Sequence, residues 1–484
     1  MAKSLAKLKP SLVWTLFEEI SAIPRQSKKE DLIRGWVKEW GKKNEIEIEE
    51  DQAGNLLLHQ NASKGFESFP GVTLQAHMDM VAEKTPDSKH DFDKDPIELI
   101  VDGNFIRANK TTLGADNGIG MAMILAVLID PNVKHGPIDV LLTVDEETGL
   151  TGAFALKSSF LNYKYLINLD SEDEGEITTG SAGGSDTKVS FSCTFITRDD
   201  LLGYQLSVTG LKGGHSGIDI HLPRLNAIKI CIEIINQLQN QGEDVFIHDI
   251  QGGSARNAIP RDCKIQFGLS GKKNFKKVLN NILKQNLVQF REIEPNITID
   301  LDEINIEECI KESKDILEFL SSIKHGPLEF SKLIPKLVET SNNVAIATTN
   351  GNLIEISIST RSSIDEELNR VRSDIKLLGE KLGAAVELGK AYPGWNPNLD
   401  SSLLKLVQKL YSRESQKEVK LKAIHAGLEC GLFKGIKPDL EIVSFGPEIK
   451  GAHSPNERVD INSVELIWNV LSSVLEKLDE VDSY

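Results

Sequence analysis

The sequence predicts an α/β domain with a mostly parallel sheet flanked by helices, interrupted by a large α+β insertion. Three observations predict it. Strand-like and helix-like segments alternate from the start of the chain to about residue 186, the rhythm of strands joined by helical crossovers. From about Asp186 strand-like segments come in pairs, and long amphipathic stretches follow them. After "AYPGWNPNLDSS", where Pro, Gly and Asn punctuate the chain, the alternation returns. The expected divisions are residues 1–186 and 392–484 for the two parts of the first domain, with the insertion over 187–391.

Taken in order, helices are expected at Ser11–Ile20 and Lys29–Lys42. The apolar runs "NLLLH", "GVTLQAH", "IDVLLTV" and "KYLINLD" read as strands. "IELIVDGNFIRA" reads as a hairpin with Asp102-Gly103 at its turn. Between two of the strands, "NGIGMAMILAVLID" predicts an apolar helix over Asn117–Ile129. In the insertion, "TKVSFSCTFI" and "YQLSVTGL" are strand-like, and helices are expected at Leu225–Gln239, Phe275–Gln289 and Glu366–Leu382. Beyond it come a helix near Ser402–Tyr411, the strand "LEIVSF" and a final helix whose "NSVE" start reads as a capping box from Asn462 to Glu465. No internal repeat and no low-complexity tract interrupts this pattern.

Bulk composition narrows the function. The 484 residues are 40% hydrophobic and 26% charged, ample for large cores in a soluble globular protein. The balance of 55 Lys+Arg against 72 Asp+Glu, a net charge of −17, weighs against nucleic acid or an anionic membrane as the main partner. The five cysteines are scattered and form no CxxC pair. A disulfide framework and a thiolate zinc site are therefore not expected, and a reducing cytoplasm fits the composition. The opening "MAKSLAKLKPSLVWTLFEEI" reads as an ordinary first helix rather than a signal peptide. No run approaches the roughly 18 apolar residues of a membrane span.

The chemistry collects just after strands. "TLQAHMDM" puts His77 and Asp79 at a strand end, where positions i and i+2 share a face. "LGADNGIG" puts Asp116 between a loop and a helix start, "TVDEETGL" sets Asp145, Glu146 and Glu147 behind a buried-looking run, and "NLDSE" carries Asp170. "FGPEIKGAHSPNE" follows another strand and carries His453. In open α/β sheets, ligands bind in the crevice beyond the strands' carboxyl ends. Clustered carboxylates at the edge of a core need a counter-charge. Imidazole and carboxylate donors without thiolates suit zinc, manganese or cobalt, and so many oxygen donors make two ions with a bridging carboxylate plausible. Each piece alone has a plainer explanation: HxD arises by chance, paired glutamates are usually solvated, Asp116 suits a turn or N-cap, "DSEDEGE" suits an exposed acidic run, and His453 suits a loop. Their conjunction at strand ends is what favours a metal centre.

"AHMDM", "GADNG", "DEETG", "NLD" and "GAHSPNE" resemble the motifs of the co-catalytic di-zinc exopeptidases, a clan of carboxypeptidases, aminoacylases and dipeptidases. "LDSEDEGEI", "GLKGGHSG", "GGSARNAIP", "YPGWNP" and "HAGLECG" extend the likeness over the whole chain, to the branch of aminoacyl-histidine dipeptidases, the cytosolic nonspecific or carnosinase-type dipeptidases. The resemblance implies a zinc-exopeptidase-like catalytic domain and two divalent ions, zinc first, with manganese or cobalt as alternatives. It implies that His77 and Asp170 bind one ion, Glu147 and His453 the other, and that Asp116 bridges them. Asp79 would fix the tautomer of His77. Glu146 would be the general base toward a water held between the ions. Only the resemblance orders Glu146 and Glu147 as base and ligand.

The resemblance also makes the insertion a lid, long enough for two lobes, and leaves a homodimer open, since a lobe of this kind makes the dimer contact in smaller relatives. His215 in "GGHSG" resembles the lid histidine that polarises the scissile carbonyl. Four further contacts are weighed against plainer readings. Asn257 would be a polar contact to substrate. Arg361, ending "LIEISISTR", would hold a substrate carboxylate as a bidentate pair or be a surface charge. His425 and Glu429, four apart on one side of a helical turn, would contact substrate, Glu429 taking the N-terminal ammonium, or would simply start a helix. The expectation is a metallodipeptidase acting on dipeptides with free termini, Xaa-His and β-alanyl-histidine among them. Its rivals are an N-acyl amino acid deacylase, which has no need of an ammonium site, and a non-catalytic peptide-binding protein, which has no need of Glu146.

Overall fold

The computed structural model describes residues 5–270, 275–334 and 336–483, except for the side chains of 275–280. The chain clusters into two compact units: Met1–Gly180 with Pro397–Ala423 and Leu428–Tyr484, and Ser181–Asn396 with Ile424–Gly427.

The first unit is built on an eight-stranded sheet. Its order is Glu47–Glu50, Leu56–Gln60, Ile138–Thr143, Val72–His77, Tyr165–Asn168, Glu441–Ser444, Glu176–Ser181 and Lys420–Ile424. The four central strands, from Ile138–Thr143 to Glu441–Ser444, are parallel. Antiparallel pairs flank them on both sides. Ile138–Thr143, Val72–His77 and Tyr165–Asn168 are buried along their whole length, as parallel strands covered on both faces must be. The helix Ala115–Ile129 has buried side chains all round and packs on both Ser11–Ser21 and the Val72–His77 strand. A helix apolar on every side is stable only inside such a core.

Parallel direction matters for function because it brings four carboxyl ends to one edge of the sheet. His77 ends one strand, the Asp145–Glu147 run and Asp170 follow two others, and the fourth leads into the segment carrying His453. A small four-stranded sheet steadies that last segment. Ile449–Lys450 and Arg458–Asp460 pair around it, and Arg458–Asp460 pairs in turn with Phe105–Ala108. The chain then runs from Ala108 to Asp116, so two ligand-bearing loops leave neighbouring strands.

Local chemistry differs from expectation in three places. The last helix, Ile461–Glu476, is not capped by Asn462: Asp460 accepts from the backbone N–H groups of Asn462 and Ser463. A carboxylate already two residues upstream satisfies those donors, so the chain turns helical earlier. The hairpin pairs Asp102 with Phe105, which puts Gly103 and Asn104 at the tip. Gly103 takes φ +61° there, which suits glycine. The buried helix begins at Ala115, but Asp116 and Asn117 have non-helical dihedrals, and the peptide bond between them is cis.

The second unit carries a nine-stranded sheet ordered Thr298–Ile304, Leu202–Thr209, Cys263–Leu269, Val245–Gly252, Val338–Asn350, Leu353–Ser362, Gly183–Ser192 and Ala385–Leu388, with Gly326–Phe330 also paired to Val338–Asn350. Its junction is narrow: Val245–Gly252 joins Val338–Asn350 through only Gln251↔Thr348 and Gly252↔Ala347. The helices Ala227–Gln239, Phe275–Arg291, Ser313–Ser322 and Asp365–Lys381 accompany it. All five cysteines are buried and unpaired. Among the described residues, no helix is long and apolar enough to cross a membrane.

Candidate metal centre

Two groups of donor atoms meet at the edge where the parallel strands end. His77, Asp116 and Asp170 form one, and Asp116, Glu147 and His453 the other; within each group, all ligand atoms lie within 4.8 Å of one another. Asp116 belongs to both and divides its oxygens between them. Oδ1 lies 3.1 Å from His77 Nε2, and Oδ2 lies 3.1 Å from His453 Nε2. His77 Nε2 is also 3.2 Å from Asp170 Oδ1, and His453 Nε2 is 3.0 Å from Glu147 Oε2. His77 is 1% exposed, whereas the His453 side chain is 54% exposed and its backbone is left-handed, with φ +59°. A non-glycine residue held in that region marks a position fixed by its surroundings.

The protons of His77 are assigned by its neighbours. Nδ1 faces the Asp79 carbonyl oxygen at 3.1 Å and the Asp79 carboxylate at 3.4 Å, both acceptors only. Nδ1 therefore carries a proton, and Nε2, turned toward the Asp116 and Asp170 carboxylates, would present a lone pair only once a cation took the place of its own proton. Asp79 is itself pinned: it accepts from Ser27 Oγ at 2.7 Å and from the backbone N–H groups of Glu146 and Glu147. One buried carboxylate thus orients a histidine and fixes the turn that carries the two glutamates.

The three adjacent acids do three different things. Asp145, in a left-handed conformation, accepts from the hydroxyls of Thr148 and Thr151 and holds the turn. Glu147 reaches His453 with Oε2, while its Oε1 is buried with no hydrogen-bond partner. The Glu146 carboxylate lies within 4.8 Å of the donor atoms of His77 and Glu147 and makes no hydrogen bond among the described residues. A further group, Glu30 with Asp79 and Asp145, lies behind them. Glu30 accepts from the backbone N–H groups of Lys28 and Asp145.

The electrostatics favour positive charge at this edge. Bonds to Asp116 and Glu147 push His453 up to about 11. Burial opposes a charged His77, but Asp170, Asp116 and Asp79 outweigh it and hold its pKa well above the usual value. Asp116 runs the other way: despite burial, His453 and His77 keep it ionised well below the carboxylate range. Burial raises Glu146 well above that range, with Asp170, Glu429 and Glu147 adding to the effect against His77. Glu172, which ends the quoted "NLDSE" but was given no role, is raised to about 8 by burial and by Asp116 and Asp170.

Two other residues went unread in the sequence. Glu457, the last residue of "GAHSPNE", is 2% exposed and accepts from the backbone around Asp116; Arg25, also 2% exposed, donates to backbone carbonyls beside Asp79 and Asp116. Glu457 sat within a quoted motif, which was the available signal. Arg25 had none.

The substrate-contact candidates divide between the units. His215, Arg361 and His425 meet at Gly217 in the second unit: a Cβ there would stand 3.2 Å from His215 Cε1, 3.3 Å from Arg361 Nε and 2.3 Å from the His425 carbonyl oxygen. His215 Nδ1 accepts from the backbone N–H groups of Gly217 and Ile218, so the neutral ring carries its proton on Nε2. Asn257 is exposed and adjoins His215 through backbone pairing, its carbonyl accepting from Ser216 N–H. Arg361, 9% exposed, donates to the Tyr392 hydroxyl at 2.9 Å, and its Nε is buried without a partner. His425 and Glu429 do not share a helical turn. Glu429 begins the helix Glu429–Ile436 in the first unit, and His425 precedes it in a bend assigned to the second. Gly427 lies between them outside the helix, so the i,i+4 geometry does not arise. Glu429 accepts from Gln75 and Thr143, keeps Oε1 without a partner, and is pushed by burial up to about 8 against His77 and Thr143.

His425 yields a pH expectation. Burial, then Arg361, lowers it to about 3, while Ser341 Oγ lies 2.7 Å from its Nε2. The unfolded chain takes up that proton near pH 6.5 and the folded chain does not, so stability falls as pH drops from about 6.5 toward 3. The Tm of His425→Gln should therefore fall less steeply over that window than that of the unmodified protein. Parallel curves in thermal melts across the range would contradict this.

The description "Peptidase family M20/M25/M40" belongs to the family whose model matches residues 73–477. The cytosol non-specific dipeptidase of Escherichia coli (strain K12) is 41% identical over 488 aligned residues, which cover 98% of this chain and 99% of that one. The crystal structure of an aminoacylhistidine dipeptidase from Vibrio alginolyticus matches with a TM-score of 0.91 at 38% identity over 98% of each chain. Aminopeptidase PepT from Bacillus cereus ATCC 10987 has the same fold, with a TM-score of 0.58 at 16% identity over 97% of this chain and 99% of that one. The chain belongs to peptidase family M20/M25/M40.

Proposed function

We propose that this protein is a cytoplasmic metallodipeptidase that holds two divalent ions, zinc ahead of manganese or cobalt, and hydrolyses dipeptides whose termini are both free. The observation that carries this reading is the division of Asp116 between two donor groups, one oxygen toward each histidine. The donors suit such ions: all are imidazole or carboxylate, the Nδ1 proton of His77 leaves Nε2 as its ligating atom, and Glu147 Oε1 is buried without a partner. His77 and Asp170 would hold one ion, Glu147 and His453 the other, and Asp116 both. When bound, the ions supply Lewis acidity toward water and the scissile carbonyl.

The residues do the rest. Asp79 keeps His77 in the ligating tautomer. Glu146, uncommitted and with a raised proton affinity, takes the proton of the attacking water and delivers it to the leaving amine. Residues 187–391 act as the lid. There His215 donates a hydrogen bond from Nε2 to the carbonyl oxygen as negative charge develops, Arg361 pairs with the free C-terminal carboxylate, and Asn257 adds a polar contact, with His425 adding another from beyond that segment. Glu429 accepts the substrate ammonium at its unpartnered Oε1. Five buried, unpaired cysteines support a reducing compartment.

The test is a substrate panel on chelator-stripped protein with zinc, manganese or cobalt restored. Unblocked dipeptides, Xaa-His and β-alanyl-histidine among them, should be cleaved in preference to a tripeptide and to N-acyl amino acids. Preference for N-acyl amino acids would instead identify a deacylase. Within the dipeptides, Arg361→Ala should reduce kcat/KM for free carboxylates by at least about tenfold more than for the matching amides, since a charge-assisted pair is worth about 1.5–3 kcal/mol. Equal losses on both would remove Arg361 from carboxylate recognition.

A further inference from the structure

We propose that Glu457 and Arg25 are positioning residues that preform the Asp116 loop, so that both ion positions exist before either ion arrives. This rests on the two-ion reading above. Four consecutive backbone N–H groups converge on the Glu457 carboxylate. Leu113 and Gly114 donate to Oε2 at 2.7 and 2.9 Å, and Ala115 and Asp116 donate to Oε1 at 2.8 and 3.2 Å. Gly114 makes the concave turn possible with φ +69°, the backbone nest that ordinarily cradles an anion. Here the anion is a side chain of the protein.

Arg25 holds the other side of the same peptide. Its Nη2 donates to the Gly114 carbonyl, and its Nη1 donates to the carbonyls of Met78 and Asp79 at 3.0 and 2.9 Å. A Cβ on Gly114 would come within 2.6 Å of that guanidinium and 2.7 Å of Met80 Sδ. Arg25 therefore ties the segment carrying His77 and Asp79 to the loop carrying Asp116. Glu457 ties that loop to the segment carrying His453, four residues earlier. Three ligand-bearing segments are joined by two buried charges that belong to neither donor group. Burying a charged side chain costs free energy even when backbone groups satisfy it, so simple packing does not account for them. Aim does: Asp116 must point one oxygen at each ion, and the brace fixes the backbone from which it points.

The brace predicts a particular pattern of metal loss. Glu457→Gln turns an amide NH2 toward two of the four N–H donors. Because Asp116 serves both ions, this variant should weaken both together, by about 10–100-fold each, the usual range for partners that orient ligands. His453→Ala should instead lose one ion. Zinc titration by calorimetry reads this without any turnover. A Glu457→Gln protein that binds both ions as tightly as the unmodified chain, with only a lower Tm, would reduce the brace to a structural role. Hydrogen exchange on the unmodified protein decides the matter even if the variant does not fold. Amides 113–116 should be as protected in the metal-free protein as in the zinc-loaded protein. Free exchange that becomes protected only with zinc would overturn the brace. An unmodified chain that binds fewer than two zinc ions would overturn the two-ion reading instead, and the exchange result would still report on the loop.

Discussion

Glu146→Gln should keep its metal ions and lose kcat by about 10²–10⁴-fold, the span usual for removing a positioned general base. Glu146 follows the Ile138–Thr143 strand, and its backbone is fixed by Asp79. Its carboxylate makes no hydrogen bond among the described residues, whereas Glu147 is bound to His453. A group that holds a proton only in passing must be free to accept and release it. Burial and nearby carboxylates raise its proton affinity, and a neighbouring dication draws that affinity back toward neutrality. Glutamine preserves the shape and removes the basicity. Metal content after dialysis and kcat on a dipeptide are the two readings required. Near-normal kcat would contradict the base assignment, and loss of an ion would make Glu146 a ligand.

Asp116→Ala should release both ions and lower turnover by more than about 10³-fold, since losing several kcal/mol of Lewis-acid stabilisation costs a factor of ten for every 1.4 kcal/mol. Among the described residues, no other side chain stands in both donor groups. Its removal also takes away the anion that His77 and His453 share. His453→Ala removes a member of one group only and should leave one ion bound. The two variants together separate a shared carboxylate from two independent sites. An Asp116→Ala protein that retains one tightly bound ion would mean the groups are not linked through this residue.

His77, Glu147 and Asp170 stood out as candidates because polar side chains follow apolar strands at their ends, whereas Asp116, at a helix start, and His453, in a loop well beyond its strand, stood out through their motifs. The parallel core was legible for a related reason: "IDVLLT" and "VTLQAH" are too short for helices and too continuously buried for one-faced strands. Partnerships whose other half is backbone left no sign in the sequence. Glu457 meets N–H groups more than 340 residues away, and no side-chain pattern records a backbone donor. Arg25 was silent for the same reason. The final cap was misplaced because Asp460 and Asn462 are both good caps, and only the strand register of Arg458–Asp460 shows where the helix begins. In the second unit, His215 and Arg361 converge because Gly217 has no side chain, a relation that spacing along the chain does not express.

The central claim is that one carboxylate joins two metal positions. Anomalous diffraction from crystals soaked in zinc tests it most directly. Two peaks about 3.5–4 Å apart should flank Asp116, one beside His77 and Asp170 and the other beside Glu147 and His453. A single peak, or two peaks that do not share Asp116, would contradict it.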